Sequence, residues 1–334
     1  MRSRITAVLA AIIALGMTVG LGACEGQIPD PKSAASDVDR MPDLTEEQEA
    51  KIRASILDTL DQATQNMNGD GLPVRVTGPM LDVRNSALAV ARATGSMDKT
   101  NTIPSDIMQT VIPVDSGWPR TVFTVTTTTE DQQSQRLLVL TQDSPRQNYK
   151  LWGVARLFSG AQLPRFAVPE IGAQMGLPND TGLVATPEDA VNWYADVLQN
   201  GANSEHADKF ADDALRESLV SVAQTVQEGM ERNNGTQQQT FTVVPDAIKI
   251  MRSGDGGDLV VAQINSEWTR QAGDGRESLP ASDEEKALFG DATATSTMKV
   301  TYVNIVALYV PPEDSDQPIT AVGAERKPIK VEAL

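Results

Sequence analysis

The chain has 334 residues, of which 40% are hydrophobic and 22% are charged. This composition is sufficient for a folded core, and the length predicts about two domains at roughly 100–200 residues each. The net charge of −17 disfavours general binding to nucleic-acid phosphates, which requires a clustered basic surface. One cysteine and one histidine exclude an intramolecular disulfide and a zinc site made of Cys and His ligands.

The first 24 residues have the layout of a secretory signal. Arg2 and Arg4 precede an apolar run over 5–19, which is shorter than the roughly 20 residues of a membrane-spanning helix. The run leads into Leu-Gly-Ala-Cys at 21–24, which resembles a bacterial lipobox. The resemblance implies cleavage between Ala23 and Cys24 and attachment of a diacylglyceryl group to the Cys24 thiol. The alternatives are an ordinary signal peptide followed by an incidental cysteine, or an uncleaved anchor.

Changes in composition divide the rest of the chain. A Pro-, Ser- and Asp-containing stretch predicts a flexible tether after the signal, and a second Pro- and Gly-rich stretch predicts a linker in the middle of the chain. The expected segments are a signal peptide at 1–23, a tether at 24–43, a first α+β domain at 44–160, a linker at 161–185 and a second α+β domain at 186–334.

The first half reads as helix followed by strands. Thr45 and Gln48 form a capping-box pattern ahead of an apolar stripe that runs from Ile52 to Met67. Residues 73–94 suit a helix or a strand, with a turn expected at Gly78-Pro79. Alternating apolar residues then predict four strands. These are 107–114, 120–129, 136–142 and 148–158.

The second half repeats this order. Thr186-Pro187-Glu188-Asp189 predicts a helix start, and Asn200-Gly201 predicts its end. A second helix is expected over 206–229, and a helical turn over 283–289. Asp255-Gly256-Gly257 is typical of a hairpin loop. The expected strands are 238–251, 258–270, 295–310 and 317–332.

Helices followed by an antiparallel sheet, twice in succession, predict a duplicated α+β architecture rather than a Rossmann domain or a TIM barrel. The layout is similar to a family of actinobacterial envelope lipoproteins, with Leu72-Pro73, Gly78-Pro79 and Thr186-Pro187-Glu188-Asp189-Ala190 as the quoted motifs. The resemblance implies two cone-like halves of the NTF2-like or cystatin-like type. It implies no catalytic residues and no cofactor.

Motifs for catalysis are weak. His206 sits in a polar stretch without a nucleophile pattern, and the Ser-x-x-Lys spacings at 96–99 and 296–299 lack the companion motifs of penicillin-binding proteins. Asp255 and Asp258 suit a turn better than a calcium loop, and no phosphate-binding glycine motif is present. Glu267 beside Trp268 is the most suggestive acid for a glycosidase pair.

Four aromatic residues of the second half are the candidate pocket. Trp193, Tyr194, Trp268 and Tyr302 are expected either to line a cavity or to pack in an ordinary core. The sequence therefore predicts a lipid-anchored protein on the extracytoplasmic face of the cell membrane, without metal or nucleic acid. It would bind an envelope protein or a small ligand, and the alternatives are a wall-glycan hydrolase and a carrier of a hydrophobic molecule.

Overall fold

A computed structural model describes residues 41–114, 117–128 and 134–334. The expected signal peptide, Cys24 and most of the expected tether lie outside the described residues. Within the described ranges, no helix has both the length and the apolar character needed to cross a membrane.

The described residues form five α-helices and eight strands. The helices are α1 (Glu46–Gln65), α2 (Gly78–Thr94), α3 (Pro187–Asn200), α4 (Ala214–Glu231) and α5 (Asp283–Phe289). The strands are β1 (Ile107–Val111), β2 (Arg120–Thr126), β3 (Arg136–Gln142), β4 (Lys150–Leu157), β5 (Thr236–Arg252), β6 (Asp258–Gln271), β7 (Thr297–Val310) and β8 (Thr320–Ala333). The mixed helix and antiparallel-sheet class predicted from the sequence is confirmed, and every predicted strand has a counterpart.

Local sequence signals explain most helix starts. Thr45 and Gln48 form the predicted capping box of α1, and the Thr186 side chain accepts a hydrogen bond from the Asp189 N–H at the start of α3. One prediction is wrong: the second helix of the second half begins at Ala214 rather than at 206. The Asp213 side chain caps that helix by accepting from the Arg216 N–H, and a short 3₁₀ turn at Ala207–Lys209 precedes it.

All eight strands belong to one antiparallel sheet with the order β1-β2-β3-β4-β8-β7-β6-β5. The halves meet where Arg156 and Leu157 of β4 pair with Ala324 and Gly323 of β8. A Cβ atom on Gly323 would lie 2.6 Å from the Arg156 carbonyl oxygen, so this junction requires a residue without a side chain. Because β4 and β8 end the two meanders, the strand order is symmetric about their junction.

The two halves share one apolar core. Its largest cluster combines first-half side chains such as Leu60 and Phe123 with second-half side chains such as Val261 and Ile305. The opposite face of β6 and β7 packs against α3. Residues Met41–Leu334 form one compact unit, so the expected separation into two domains joined by a linker at 161–185 is not confirmed.

Part of the expected linker connects the two edges of the sheet. The N–H of Ala173 donates to the carbonyl of Ile112 next to β1, at 2.8 Å. On the other side, the N–H of Arg252 in β5 donates to the carbonyl of Gln174 at 2.9 Å. The N–H of Gly176 donates to the carbonyl of Ile250, also in β5, at 3.2 Å. The segment 173–176 therefore pairs with residues 112–114, directly after β1, and with the C-terminal end of β5, and it leaves the N-terminal part of β5 uncovered.

Candidate functional site

A groove of about 880 Å³ lies where α3, α4 and the start of β5 meet. Seven side-chain amides line it, together with aliphatic side chains and a few charged ones at the beginning of α4. The amides are Gln199, Asn200, Gln224, Gln227, Gln237, Gln238 and Gln239. Amide groups both donate and accept hydrogen bonds, so this surface suits a neutral polar ligand better than an ion.

Few residues of helix α4 are buried. Leu215 is its only fully buried residue, and Val220, on the groove wall, is 59% exposed. Near its C-terminal end, Val226 packs against the cluster that contains Trp268 and Tyr302. The middle of the helix therefore stands beside the sheet as one wall of the groove.

The beginning of α4 is fixed by a buried carboxylate. Asp213 accepts hydrogen bonds from Tyr194 Oη at 3.0 Å and from Arg216 Nε at 2.6 Å, and it is itself buried. Burial, followed by the negative charge of Asp213, raises the pKa of Tyr194 well above its ordinary value. Since Asp213 already has these partners and also caps the helix, its role is structural.

Amide side chains tie α4 and α3 to β5. Gln237 Nε2 donates to the carbonyl of Ala223 at 2.8 Å, while its Oε1 accepts from Trp268 Nε1 at 2.9 Å. On the other side, Gln199 Oε1 accepts from the backbone N–H of Phe241 at 3.0 Å. These bonds fix the groove walls at a separation that leaves the space between them open.

The backbone of β5 is available along this groove. β5 is an edge strand, and its pairing with β6 runs without interruption from Thr236 to Val243. The N–H of Phe241 points away from β6, toward Gln199, so the backbone groups of Gln239 and Gln237 point the same way. Among the described residues, the N–H groups of Gln237 and Gln239 have no backbone partner outside the sheet. The groove thus contains an open strand edge.

The structure divides the four predicted pocket aromatics between two places. Tyr194 is fully buried in the cluster around α3, and Trp193 stacks on His206 with ring centroids 4.8 Å apart. Trp268 and Tyr302 lie in a separate cluster near α5.

The polar ends of the second pair are already bonded. Tyr302 Oη donates to Glu285 at 3.1 Å, and Glu285 pairs with buried Arg270. The indole N–H of Trp268 donates a hydrogen bond to Gln237, which lines the groove. Of the four predicted pocket aromatics, Trp268 therefore supports the groove wall directly.

The weaker sequence motifs have structural partners. Lys299 of the second Ser-x-x-Lys spacing lies 3.2 Å from Glu267, the acid singled out for glycosidase chemistry. Asp255 accepts bonds from Tyr309 and from the N–H of Gly257 within the predicted hairpin loop. In the part of the chain that the structure describes, no group of three or more His, Cys, Asp or Glu residues is placed to hold a metal ion.

Sequence analysis did not find the open edge of β5. The run Gln237-Gln238-Gln239 was the available signal, because three consecutive amides in a strand place polar groups on both of its faces. Whether a strand lies at a sheet edge depends on the strand order, which periodicity alone does not give.

Comparison with known proteins identifies the family. No curated protein and no solved structure matches the chain. A family model described as a domain of unknown function, DUF8094, matches residues 40–330, which takes in both helix-then-strand halves and begins where the compact unit begins. The chain therefore belongs to the DUF8094 family.

Proposed function

We propose that this protein is a lipid-anchored, extracytoplasmic binding protein whose groove receives an extended polypeptide segment as an additional strand on β5. The observation that carries the proposal is the open edge of β5 beside an amide-lined groove. A peptide bound in this way pairs its backbone with the outward N–H and C=O groups of Gln237 and Gln239. The amides on the walls then supply further donors and acceptors.

The size and composition of the groove support a polymer segment. Its volume of about 880 Å³ lies in the roughly 300–1,000 Å³ range of ligand sites. Leu198, Leu219 and Val220 on its walls offer apolar contacts for side chains of the bound segment. The groove carries no excess of basic side chains, which agrees with a neutral or mixed-charge peptide rather than a polyanion.

The two alternative functions have less support. A glycan hydrolase needs two acids about 5–10 Å apart in a cleft, with aromatic surfaces for sugars. The groove lining has acids at the start of α4 but no aromatic side chain, and Asp213 is bonded to Tyr194 and Arg216. A carrier of a hydrophobic molecule needs an apolar cavity, whereas side chains of the described residues fill both faces of the sheet.

The repeated order of elements supports an origin of the two halves by duplication. Each half has two helices followed by four antiparallel strands, with the short α5 inserted between β6 and β7 in the second half, and the sheet order is symmetric about the β4–β8 junction. We infer that each half corresponds to one NTF2-like or cystatin-like unit, and that the two fused through their last strands and a common core.

A pair of substitutions at Gln239 tests the binding mode. Gln239→Pro removes the outward N–H without touching the β5–β6 ladder, which an edge strand tolerates, while Gln239→Ala keeps that N–H and removes only the amide side chain. The probe is a display library of linear peptides selected on the purified full-length protein. Selected peptides should lose affinity for the proline variant by about tenfold or more and retain most of it for the alanine variant.

Hydrogen exchange provides a second readout. Bound peptide should slow exchange of the backbone amides at 237 and 239, which have no partner in the sheet. Peptides that bind both variants equally, or a library that yields no binder, would refute the proposed mode.

The anchor is tested separately. Mass spectrometry of the N-terminal peptide of the native protein should show a diacylglyceryl group on Cys24, and Cys24→Ser should shift the protein from the membrane fraction to the soluble fraction. A native chain that begins at Met1, or that carries a free thiol at position 24, would contradict the anchoring.

A further inference from the structure

A second pocket, of about 520 Å³, lies at the opposite half of the molecule. It forms where β2 begins, β3 ends and β4 begins, with the first turns of α1 over it. Trp118, Arg120, Gln142 and Tyr149 come from the strand ends, and Lys51 comes from α1. This pocket is separate from the groove of the proposed function.

Three hydrogen-bond donors in this pocket are buried without a partner. They are Trp118 Nε1, Arg120 Nε and Tyr149 Oη, and none makes a hydrogen bond to any described residue. Tyr149 as a whole is 4% exposed. A buried donor without a partner is costly, and three such donors on residues that line one pocket are uncommon in a folded protein.

The donors are held in place by their surroundings. The Arg120 guanidinium lies over the Trp118 ring, 3.7 Å from its centroid, and its Nη2 pairs with Asp43 at 3.0 Å. The guanidinium also lies close enough to the Tyr149 hydroxyl to lower its pKa, but the geometry between the two groups does not make a hydrogen bond. Burial outweighs this effect and raises the pKa of Tyr149 to about 12, so the hydroxyl keeps its proton at neutral pH.

The charge of the pocket is positive, in contrast to the acidic chain. Lys51, Arg75 and Arg120 line it, and among the described residues no Asp or Glu side chain does. Lys51 is exposed and paired with Glu47, and Arg120 is paired with Asp43. Arg75 donates to the Tyr149 carbonyl at 3.4 Å and has no ion-pair partner among the described residues. Within the described ranges, one cation of the pocket therefore has no counter-charge.

We propose that this pocket binds an oxyanion group, a phosphate or a carboxylate, through Trp118 Nε1, Arg120 Nε and Tyr149 Oη. The three donors supply hydrogen bonds that an oxyanion accepts and that a cation cannot, and Arg75 supplies the counter-charge. The amides of Gln142 and Asn148 at the rim provide contacts for the remainder of the ligand molecule. The oxyanion belongs either to a free solute or to a lipid headgroup, and the experiment below separates these sources.

The test uses the indole N–H of Trp118 as a direct probe. In ¹⁵N-labelled full-length protein, the Trp118 indole resonance is the one that disappears in Trp118→Phe. Titration with sodium phosphate, and separately with sodium acetate, should shift that resonance saturably. A parallel titration with phosphatidylglycerol vesicles shows whether the phosphate of a lipid headgroup competes for the same site.

Tyr149→Phe distinguishes a binding role from a structural one. The variant should bind phosphate or acetate about tenfold more weakly, because one donor to the anion is lost. Without ligand it should melt about 2–4 °C higher than the wild type, because the buried hydroxyl has no partner to lose. A hydroxyl with a purely structural role would instead lower the melting temperature when removed.

Tyr309→Phe is the matched control. Its hydroxyl donates to Asp255 at 2.8 Å in the hairpin loop of the other half, so its removal should not raise the melting temperature and should leave anion binding unchanged. Absence of a saturable Trp118 shift with phosphate, acetate and vesicles would overturn the proposal. So would anion binding that Tyr149→Phe does not weaken.

Discussion

Replacement of Ile305 by Ala tests whether the two halves are one cooperative unit. Ile305 in β7 is fully buried in the shared core, and it faces Gly153 of β4 so closely that a Cβ there would lie 3.3 Å from its Cγ2. The substitution removes three carbon atoms, each worth about 0.8 kcal/mol of transfer free energy. With the cavity that remains, the loss of unfolding free energy should be about 3–4 kcal/mol.

The consequence should reach the other half of the chain. The melting temperature should fall by about 6–8 °C, since roughly 2 °C per kcal/mol is expected for a unit of this size. Hydrogen exchange, followed by mass spectrometry, should accelerate equally in peptides from β2–β3 and from β6–β7, because both sets of amides exchange through the same global opening.

The matched control is Ile171→Ala, at a side chain that is 66% exposed, and it should change neither quantity. If β2–β3 kept its protection while β6–β7 lost it, the halves would unfold independently. The shared core would then not couple them, and the two-domain division expected from the sequence would be supported.

Three further predictions concern buried polar groups and the sheet junction. Arg270→Met should lower the free energy of unfolding, measured by urea denaturation, by about 3–5 kcal/mol because it leaves Glu285 buried without its counter-ion. Replacing both residues by apolar ones should recover most of that loss. No recovery in the double variant would contradict this account. Burial raises the pKa of Asp258 from 3.8 to about 6, so the folded state holds that proton more tightly than the unfolded state. This group should therefore make the unfolding free energy fall by roughly 3 kcal/mol as pH rises from about 4 through 6. Asp258→Asn should reduce this pH dependence. A variant whose unfolding free energy depends on pH as steeply as that of the wild type would contradict the prediction. Gly323→Ala should lower stability by at least about 1–3 kcal/mol in thermal melts, because the new Cβ meets the Arg156 carbonyl at 2.6 Å; a variant as stable as wild type would disagree with the β4–β8 pairing.

Local sequence patterns predicted the elements well for identifiable reasons. The strands stand out because β-branched and aromatic residues form runs bounded by polar segments, and capping residues mark the starts of α1 and α3. The stretch 73–94 was ambiguous because Leu81, Val83, Leu88 and Val90 suit a strand or a helix, and the turn expected at Gly78-Pro79 is wrong. In the structure this pair begins α2, where the fixed φ of proline is favourable and its missing N–H costs nothing.

The way the halves combine was not predictable from periodicity. An alternating pattern shows which face of a strand is buried, but not which element covers it. The run Leu259–Ile264 is buried on both faces, with alternate residues contacting the shared core and the α3 cluster. Continuous apolar runs of this kind indicate strands covered on both sides, and this was the available signal for a joined sheet.

The second pocket was also outside the reach of sequence reasoning. Trp118 and Tyr149 lie about thirty positions apart in the chain, and each is unremarkable in its own segment. Both residues line the same pocket because β2 begins where β3 ends and β4 begins, next to α1. Register and strand order create that meeting point, and neither is encoded in a local motif.

The short segment 173–176 also limits how much strand backbone is left open to neighbouring molecules. Uncapped strand edges invite intermolecular pairing and self-association, and this segment pairs with residues 112–114 directly after β1 and with the last residues of β5. A change that detaches it would expose two more stretches of backbone to neighbouring molecules, and clumping at high concentration would be the expected symptom. A loop that the sequence suggests is a spacer thus shields part of the backbone next to both outer strands of the sheet.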